Sequence, residues 1–444
     1  MKPLKLFWLA LYFLVPIIPI GLIFSSPGGD VTDLTYRLSV VTGALAFTWL
    51  VNQLIISARL KFIEKHFGMD HMYRFHAWMA VVSLGLVLVH RQSKLAWMGF
   101  TPTTALIAAI LFILAVLFAV VFLADTRLRR LKLVRSLVEF SNRKLGLGFN
   151  RVVLFHNLTV VASALMVVHV LATGTAFIYP PVRVFYAIYA GMGFGFYIYH
   201  KFARPLWLAR RPYRVESVIE ELPNIRTLRL TPPAGQTLFD YNPGQFAFIT
   251  PLGGDVSREE HPFTISSTPA DREAITFTIK ALGDFTSSLD QIQPESPVRV
   301  DAPYGVFSYR NHSTGRPLGL IAGGIGITPL LSMLRTLRKE DPTREVVFLW
   351  GINESYELFC REELAGMESD MPNFNWHPVV AKDPDWSGET GFVDADKIQR
   401  LMLDEHTEMD FYICGPKIMM DLVTGHLRDL GVPARRILSE RFSF

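Results

Sequence analysis

Cysteine is scarce in this chain. Only Cys360 and Cys414 occur among its 444 residues. Both fall in a segment that we expect to face a reducing cytoplasm, which argues against a disulfide. Charged residues are also few, at 19%, whereas hydrophobic residues make up 50% and the mean hydropathy is +0.27. This shortage of charge is unusual for a soluble protein and indicates membrane segments.

The chain also lacks internal repeats, low-complexity tracts and an evident cleavable signal. Pro16 and Pro19 interrupt the first apolar stretch, and Ser25-Ser26-Pro27 is a poor cleavage site. The net charge of +4 is small and reflects basic residues beside the apolar segments, so we expect no nucleic-acid partner.

Apolar residues are concentrated before Arg204, where six segments are typical of membrane spans. Most have the length of about 20 residues that a helix needs to cross the hydrocarbon core. The third is short unless the polar residues at its ends reach the interfaces. We place the spans at residues 4–24, 38–58, 75–89, 104–124, 152–178 and 182–202. The first predicted domain, residues 1–206, therefore lies in a lipid bilayer.

Basic residues indicate which loops are cytoplasmic. Eight arginines and lysines lie between spans four and five, and four more lie between spans two and three, whereas the other loops hold few. Positively charged loops stay inside, so we expect both chain termini in the cytoplasm.

Two of the spans each carry two histidines at similar spacing. His76 and His90 lie fourteen residues apart, and His156 and His169 lie thirteen apart. At ~1.5 Å of rise per residue each interval covers roughly 20 Å, which suits two haems stacked across a bilayer. Both spans run outward, so we pair His76 with His156 at the inner level and His90 with His169 at the outer level as haem-iron ligands.

Alternatives to this ligand set stay open. A single membrane histidine can bond a neighbouring carbonyl or line a wet cavity, although four at matching depth favour haem. Thirteen residues also fall roughly 140° short of a fourth helical turn, so span five is locally overwound or its haems lie at different azimuths. His66 and His71, in the basic loop, are rival ligands that lack partners at equal depth.

The second half of the chain is typical of soluble protein and divides in two. Short alternating runs predict a small antiparallel barrel with strands at residues 214–219, 226–231, 245–250, 263–267, 275–281 and 298–301. Strands then alternate with helices, at 318–322 and 329–338, 346–351 and 356–364, and 411–414 and 417–430. That alternation predicts a parallel sheet flanked by helices. The predicted domains are residues 207–315 for the barrel and 316–444 for the α/β lobe.

The barrel contains the run His261-Pro262-Phe263-Thr264-Ile265-Ser266-Ser267. In an extended strand Phe263 can lie against a flat ring while Thr264 offers a hydrogen bond to a ring nitrogen, as an isoalloxazine requires. Further on, Lys280 and the turn Gly283-Asp284-Phe285-Thr286 offer a cation and a hydroxyl suited to a pyrophosphate. Either run alone is more often an ordinary strand or turn, but their order and spacing favour a flavin site.

The α/β lobe contains a glycine-rich turn between a strand and a helix, Ala322-Gly323-Gly324-Ile325-Gly326-Ile327-Thr328-Pro329. Glycines let the backbone approach a dinucleotide pyrophosphate, and the helix N-terminus adds amide donors. Cys414-Gly415-Pro416 ends a later strand at the same carboxyl edge of the sheet, so the thiol of Cys414 could border a nicotinamide. A buried structural cysteine is the alternative interpretation.

These features together resemble the ferric reductase and NADPH oxidase superfamily in a compact prokaryotic form. The resemblance rests on the paired histidines, His-Pro-Phe-Thr-Ile-Ser, Gly-Asp-Phe-Thr, the glycine-rich turn, Cys-Gly-Pro and the terminal phenylalanine. It implies a six-helix domain in the cell membrane with two b-type haems, a ferredoxin-reductase-type FAD barrel and an NADPH-binding lobe.

The resemblance also implies which residues meet the cofactors. For FAD these are His261, Pro262, Phe263, Thr264, Lys280, Gly283 and Thr286. For NADPH they are Gly323, Gly324, Gly326, Thr328, Pro329, Cys414, Gly415 and Pro416. Phe444 would cover the flavin face until nicotinamide displaces it, and the residues implied at the reacting rings are Thr264, Cys414 and Phe444.

The sequence departs from the pattern at two places. His261 stands where the wider ferredoxin reductase family usually has arginine. The stretch from Trp350 to Ser355, where adenosine should bind, lacks the arginine often associated with a 2'-phosphate, although Arg361 is a candidate to reach it. NADPH is therefore only modestly preferred over NADH.

Electron counting explains why these parts occur in one chain. A nicotinamide gives up two electrons at once and a haem iron accepts one, so a flavin must stand between them. The predicted route runs from cytoplasmic NADPH through FAD and both haems to an extracytoplasmic acceptor. Short outer loops admit a small molecule, and we expect oxygen, giving superoxide. A ferric or other metal chelate and an extracytoplasmic partner protein are the alternatives. Arg37 and Arg91 either attract an anionic acceptor or merely anchor their helices.

Overall fold

The computed structural model of the protein describes residues 3–26, 32–99, 103–122, 149–172, 177–254, 256–312, 315–402 and 408–441, together with residues 132, 135, 136 and 140. By its internal contacts the chain divides into two compact units, Met1–Arg204 and Pro205–Phe444.

The described part of the first unit is helical. Its helices are α1 (Pro3–Leu14), α2 (Ile17–Phe24), α3 (Leu34–Ser57), α4 (Lys61–Phe67), α5 (Met69–Met98), α6 (Thr103–Phe122), α7 (Phe149–His156), α8 (Leu158–Ala172) and α9 (Pro180–Ile198). A π-helical turn, Tyr199–Ala203, and helix α10 (Arg204–Ala209) follow. Pro16 separates α1 from α2 because a proline has no amide hydrogen to donate within a helix.

Four helical segments are long and apolar enough to cross a membrane. They are Pro3–Phe24, Leu34–Ser57, Met69–Trp97 and Val152–Ala172, and Thr103–Ala119 is a shorter apolar helix. The prediction of membrane-spanning helices is therefore supported for four segments rather than for all six. Helix α9, at the sixth predicted span, has 19 residues but is not among the four.

The third span is longer than predicted. Helix α5 has 30 residues, whereas the apolar pattern indicated only 75–89. Polar residues extend it at both ends: Arg74 donates to the carbonyl of Asp70, and the ammonium of Lys94 lies 4.8 Å from the Trp97 ring. The helix ends at Gly99, whose φ of 77° suits glycine at a helix C-terminus.

Helix α3 lies in the middle of the first unit. Leu50 packs in one apolar cluster with Val87 of α5 and Phe112 of α6. On another side Phe47 makes an edge contact with Tyr186 of α9, with ring centroids 4.7 Å apart. The hydroxyls buried on α3 bond back to its own carbonyls, as in Thr48 to Ala44 at 2.8 Å, so they need no water.

The second unit begins with six antiparallel strands. They are β1 (Tyr213–Leu222), β2 (Ile225–Thr231), β3 (Phe246–Pro251), β4 (His261–Thr264), β5 (Ile275–Lys280) and β6 (Pro297–Tyr304), in the order β4-β3-β6-β1-β2-β5. The amide of Ser266 donates to Thr276 at 2.8 Å and so joins the chain after β4 to β5. The six predicted strands are confirmed, although the fourth begins and ends earlier than its apolar pattern suggested.

A second, all-parallel sheet follows. Its strands are β7 (Leu318–Gly323), β8 (Val346–Ile352), β9 (Phe374–Val380), β10 (Glu389–Thr390), β11 (Asp410–Cys414) and β12 (Ile437–Glu440), in the order β10-β9-β8-β7-β11-β12. The helices of this unit are α11 (Asp284–Ser288), α12 (Tyr309–His312), α13 (Ile327–Glu340), α14 (Arg361–Asp370), α15 (Ala395–Met402) and α16 (Lys417–Asp429). The predicted parallel sheet with helices is thus confirmed. The helix predicted at 356–364 is wrong in its bounds, since α14 starts at Arg361.

Candidate functional site

The two histidines predicted as inner haem ligands face each other. His76 lies on α5 and His156 is the last residue of α7, and their ring centroids are 6.1 Å apart. An iron bound at about 2 Å by one nitrogen of each ring would separate two imidazole centroids by about 6 Å. The Nδ1 atoms of both rings are buried, and neither has a hydrogen-bond partner among the residues that the structure describes. Two facing imidazoles with unsatisfied nitrogens fit a haem better than a packed apolar core.

The outer pair is built differently. Nδ1 of His90, on α5, lies 2.7 Å from the backbone oxygen of Ser39 on α3. A carbonyl oxygen only accepts, so Nδ1 carries the hydrogen and Nε2 keeps the lone pair that iron would need. His169 lies in the last turn of α8. The pairing of these two histidines stays a prediction.

The predicted fifth span is interrupted directly after its first histidine. Helix α7 ends at His156 and α8 begins at Leu158, and the amide of Val160 donates to Asn157, three residues back, at 3.0 Å. The Thr159 hydroxyl also donates to the His156 carbonyl at 2.7 Å. A turn of this tight kind advances about 120° per residue rather than about 100°. It therefore supplies part of the extra rotation that thirteen residues between His156 and His169 require.

Among the described residues, no group of three or more histidines, cysteines or carboxylates is placed to hold a metal ion. Haem iron takes only two ligands from the protein, so a pair of histidines is enough to hold it. The rival candidate His71 lies in the first turn of α5 and is exposed.

The flavin motif forms strand β4 and the residues after it. Phe285, from the second motif, stacks on His261 at 3.9 Å and lies 6.2 Å from Phe263, so the two motifs meet through this aromatic ring. Pro262 pairs with Phe248 across the sheet. The Oγ1 of Thr264 is buried and has no hydrogen-bond partner in the described part of the chain. An unsatisfied hydroxyl at this position fits a ring nitrogen of an isoalloxazine, which would complete its bonding.

The predicted pyrophosphate residues already have protein partners. The amides of Leu282 and Gly283 donate to Oγ1 of Thr286 at 2.9 and 3.0 Å, so this hydroxyl closes the turn that starts α11. Nζ of Lys280, at the end of β5, lies 3.6 Å from a carboxylate oxygen of Glu357 in the α/β lobe. A pyrophosphate here would compete with Glu357 for the ammonium.

The glycine-rich turn connects β7 to α13, as predicted, and its glycines differ in what surrounds them. A Cβ on Gly323 would lie 2.6 Å from the Met419 sulfur, and a Cβ on Gly326 would lie 2.4 Å from the Cys414 carbonyl oxygen. Both glycines therefore serve close packing. Gly324 has a φ of 52°, and no atom of the described residues lies within 4 Å of its Cβ position. The space beside the Gly324 backbone is therefore open to a dinucleotide pyrophosphate.

The next two residues of this turn are mostly covered by protein. Thr328 is buried, and its hydroxyl donates to the Ile325 carbonyl at 3.2 Å. Pro329 is buried in the first turn of α13, where its missing amide hydrogen costs no helical bond.

Cys414-Gly415-Pro416 lies beside the glycine-rich turn. Strands β11 and β7 are parallel neighbours, with Cys414 opposite Ala322, so both motifs end at the same edge of the sheet. Pro416 contacts the Cβ position of Gly323 at 2.8 Å. The Cys414 side chain is fully buried in the apolar core, as the alternative of a structural cysteine predicted. Its role beside a nicotinamide stays a prediction.

Carboxylates occupy the edge where adenosine was predicted to bind. The Ser355 hydroxyl bonds Asp383, and this bond, with the Asp385 amide, holds the pKa of the Asp383 carboxyl below its usual value. The guanidinium of Arg361 lies 6.0 Å from the Trp386 ring. Arg361 therefore has an aromatic contact of its own. Sequence reasoning gave Phe285 no role of its own within its turn, and it missed Trp386, which lies outside every motif named above.

Phe444 lies outside the described residues, so its predicted position over a flavin stays a prediction. The last described strand, β12, pairs in parallel with β11 and sets Glu440 opposite Cys414. Glu440, the last residue of β12, therefore lies at the same edge of the sheet as the glycine-rich turn.

Comparison with known proteins matches both lobes of the second unit. Residues 211–308 match the FAD-binding domain family, and residues 320–425 match the oxidoreductase NAD-binding domain family. The reductase subunit Stc4 of stachydrine N-demethylase from Rhizobium meliloti (strain 1021) is 30% identical over 246 residues, which are 53% of this chain and 68% of that protein. A flavohemoprotein from Halalkalibacterium halodurans is 27% identical over 254 residues, 53% of this chain and 60% of that protein.

A solved structure is also similar. The flavohem-like FAD/NAD-binding domain of nitric oxide dioxygenase from Vibrio cholerae O1 biovar El Tor has a TM-score of 0.46 and 26% identity, and the match covers 52% of this chain and 98% of that one. The chain belongs to the ferredoxin-reductase-like family of FAD- and NAD-binding oxidoreductases. It is an NAD(P)H-dependent flavin oxidoreductase that transfers electrons, and its match spans 68% of the length of Stc4 but only 60% of the length of the flavohemoprotein.

Proposed function

We propose that this chain is a transmembrane oxidoreductase that passes electrons from cytoplasmic NAD(P)H through FAD and two bis-histidine haems to an extracytoplasmic acceptor. Oxygen is the favoured acceptor and superoxide the product. The chain would then be a member of the ferric reductase and NADPH oxidase superfamily, with six membrane spans and both termini in the cytoplasm. The domain division at residues 1–206, 207–315 and 316–444 belongs to the same proposal.

The facing rings of His76 and His156 are the observation that carries this proposal. They come from two apolar helical segments, stand 6.1 Å apart and bury unpartnered Nδ1 atoms. Burying polar nitrogens in an apolar bundle is costly without a ligand to satisfy them. The second unit also carries an FAD-binding domain, and a flavin can release electrons one at a time to a one-electron carrier in the first unit.

When bound, FAD would accept a hydride from NAD(P)H and release single electrons to the haems. The chain's own residues would hold and orient these groups. Thr264 would donate its hydroxyl hydrogen to the flavin ring, and Gly324 would let the dinucleotide pyrophosphate approach the backbone. His76 and His156 would each give one nitrogen to iron. No acid–base pair is required of the protein.

A positive charge at the outer end of α5 favours a small acceptor that is an anion or becomes an anion when it is reduced. Lys94 lies one turn beyond His90, and its ammonium rests against the rings of Tyr36 and Trp97, at 5.5 and 4.8 Å. His90 and His169 would both hold the haem iron at this level, so oxygen would receive electrons without binding the metal. A cation at this depth would attract superoxide or a ferric chelate, and a chelate is the second candidate acceptor.

A protein acceptor is the third candidate. The relative Stc4 is named as the reductase subunit of stachydrine N-demethylase. This chain would then be an intermediary whose acceptor is an extracytoplasmic partner protein.

The deciding experiment measures NADPH and NADH oxidation by the purified full chain loaded with FAD and haem. Oxidation in air that stops under argon, with superoxide trapped as it forms, supports the oxidase. Oxidation under argon that requires a ferric chelate supports the metal reductase. A chain that binds both haems but uses neither acceptor points to a protein acceptor. Full-length chain supplied with FAD and haem whose reduced-minus-oxidised spectrum still lacks b-type haem bands would falsify the proposal.

A further inference from the structure

Gly43 of α3 faces the ring of His90 on α5. A Cβ built on Gly43 would lie 2.6 Å from Nδ1, 2.8 Å from Cε1 and 3.4 Å from Cγ of that ring. Real Cβ atoms do not approach other atoms below about 3 Å, because repulsion rises steeply inside van der Waals contact. Any residue but glycine at position 43 would therefore displace the imidazole or the helix.

The missing side chain also uncovers a hydrogen-bond acceptor. In an α-helix each Cα–Cβ bond tilts toward the N-terminus, so a side chain at position 43 would cover the carbonyl of the residue four positions earlier. That residue is Ser39, whose oxygen accepts from Nδ1 of His90 at 2.7 Å. This carbonyl already accepts a backbone hydrogen bond within α3. The imidazole can still reach it because glycine has no side chain to cover it.

We propose that Gly43 is a positioning residue for His90: it seats the imidazole against α3 so that Nδ1 donates to Ser39 and Nε2 is held free as a ligand. The iron that Nε2 would bind rests on the proposed function. A second partner of this kind fixes the tautomer and ring orientation of a histidine ligand. Among the described residues, His76 and His156 have no such partner at Nδ1. The arrangement of a glycine beside a carbonyl acceptor therefore belongs to the proposed outer level.

Other glycines in the described membrane helices supply a comparison. Gly191 of α9 and Gly85 of α5 have no atom within 4 Å of the Cβ position. Gly193 lies against Val51, whose Cγ1 would be 2.6 Å from a Cβ, and so serves ordinary helix packing. Gly43 differs because its neighbour is an imidazole.

The test compares Gly43→Ala, His90→Ala, the double variant and the matched control Gly191→Ala, each as the full chain in membranes or lipid nanodiscs. Haem per chain, midpoint potentials and thermal unfolding are measured. We expect Gly43→Ala and His90→Ala each to lower haem content from two to about one per chain, with the same remaining potential. Gly191→Ala should keep both haems, since an exposed position in open space tolerates a methyl group.

The unfolding temperatures test whether Gly43 positions the His90 ring, and this test does not depend on haem. Gly43→Ala should lower the unfolding temperature in the wild-type background but not in the His90→Ala background, where no ring needs the space. Equal losses in both backgrounds, or failure of both the single and the double variant to fold, would mean that Gly43 serves packing alone and would overturn the inference. Two haems at wild-type potentials in Gly43→Ala would overturn it as well. A wild-type chain without haem would instead defeat the proposed function, while the unfolding comparison would still decide the seating.

Discussion

Arg335 of α13 donates to the backbone carbonyl of Ser266, with Nη1 2.8 Å from the oxygen, and so joins the α/β lobe to the chain that follows the flavin motif. Its Nε and Nη2 also bond both carboxylate oxygens of Glu363, at 2.6 and 2.7 Å. Ser332, on the same helix, donates to the Ser267 carbonyl at 2.6 Å. Because α13 begins at the glycine-rich turn, these bonds set the spacing between the two predicted cofactor motifs.

Replacing Arg335 should therefore affect hydride transfer as well as stability. We expect Arg335→Ala to lower the free energy of unfolding by about 2 kcal/mol, since both partners are only partly exposed, and to slow flavin reduction by NAD(P)H about tenfold. Arg338→Ala is the matched control, because its pair with Asp370 is 39% and 49% exposed. It should cost under about 1 kcal/mol and leave the rate unchanged. Equal rates for the two variants in stopped-flow measurements would contradict the positioning role.

The unsatisfied hydroxyl of Thr264 predicts opposite effects with and without FAD. In FAD-free protein Thr264→Val should leave the free energy of unfolding unchanged or raise it by about 1 kcal/mol, since the hydroxyl has no partner. In loaded protein the same variant should bind FAD about tenfold more weakly, because it loses a hydrogen bond. Thr264→Ser keeps the hydroxyl and should bind normally. The idea fails if titration gives the valine variant wild-type FAD affinity.

Gly324 and Gly326 should respond differently to alanine. A Cβ on Gly326 would lie 2.4 Å from a backbone oxygen, which cannot yield as a flexible side chain would, so Gly326→Ala should cost about 3 kcal/mol or more of folding stability. A methyl group at position 324 would lie in open space, so Gly324→Ala should cost only about 1 kcal/mol of folding stability, because of its positive φ. It should instead raise the KM for NAD(P)H by hindering the pyrophosphate. Unfolding curves and steady-state kinetics would separate the two, and a wild-type KM for Gly324→Ala would count against pyrophosphate binding at this turn.

The inner histidines, His76 and His156, should affect only the electron-transfer steps that follow reduction of the flavin. We expect His76→Ala or His156→Ala to lose one haem and stop electron transfer across the membrane, while NAD(P)H still reduces the flavin. His71→Ala, in the first turn of the same helix, is the control and should retain both haems. Haem content and anaerobic flavin reduction test this directly. Normal outward electron transfer in His76→Ala would show that the ligand is another residue.

Removal of Phe444 should ease nicotinamide access if that residue covers the flavin. We expect a chain ending at residue 443 to show a changed preference between NADPH and NADH, measured as the ratio of kcat/KM for the two. Replacement of Phe444 by tryptophan keeps a flat ring and should preserve the ratio. Unchanged kinetics with both nucleotides after removal would argue against this cover.

Several features of the site were predictable because they depend on neighbours along the chain. The alternation in Ile275–Lys280 predicts a strand, and the glycine-rich turn between β7 and α13 follows from glycine's backbone freedom. The length of α5 was not predicted, because its polar ends gain stability from local bonds and ring contacts that hydropathy does not record. The break at Asn157 was foreseen only as a rotation that the histidine spacing required.

The sequence by itself determined the apolar segments, the six antiparallel strands, three of the six parallel strands and the residue types proposed to hold a flavin, a dinucleotide and haem iron. These follow from local periodicity and composition, which each segment carries alone. Only the tertiary structure decided that Gly43 meets His90, that Gly326 packs on Cys414 and that Thr286 closes its own turn while Thr264 is left without a partner. Such contacts depend on how closely distant backbones approach, and no local preference of the chain encodes that distance.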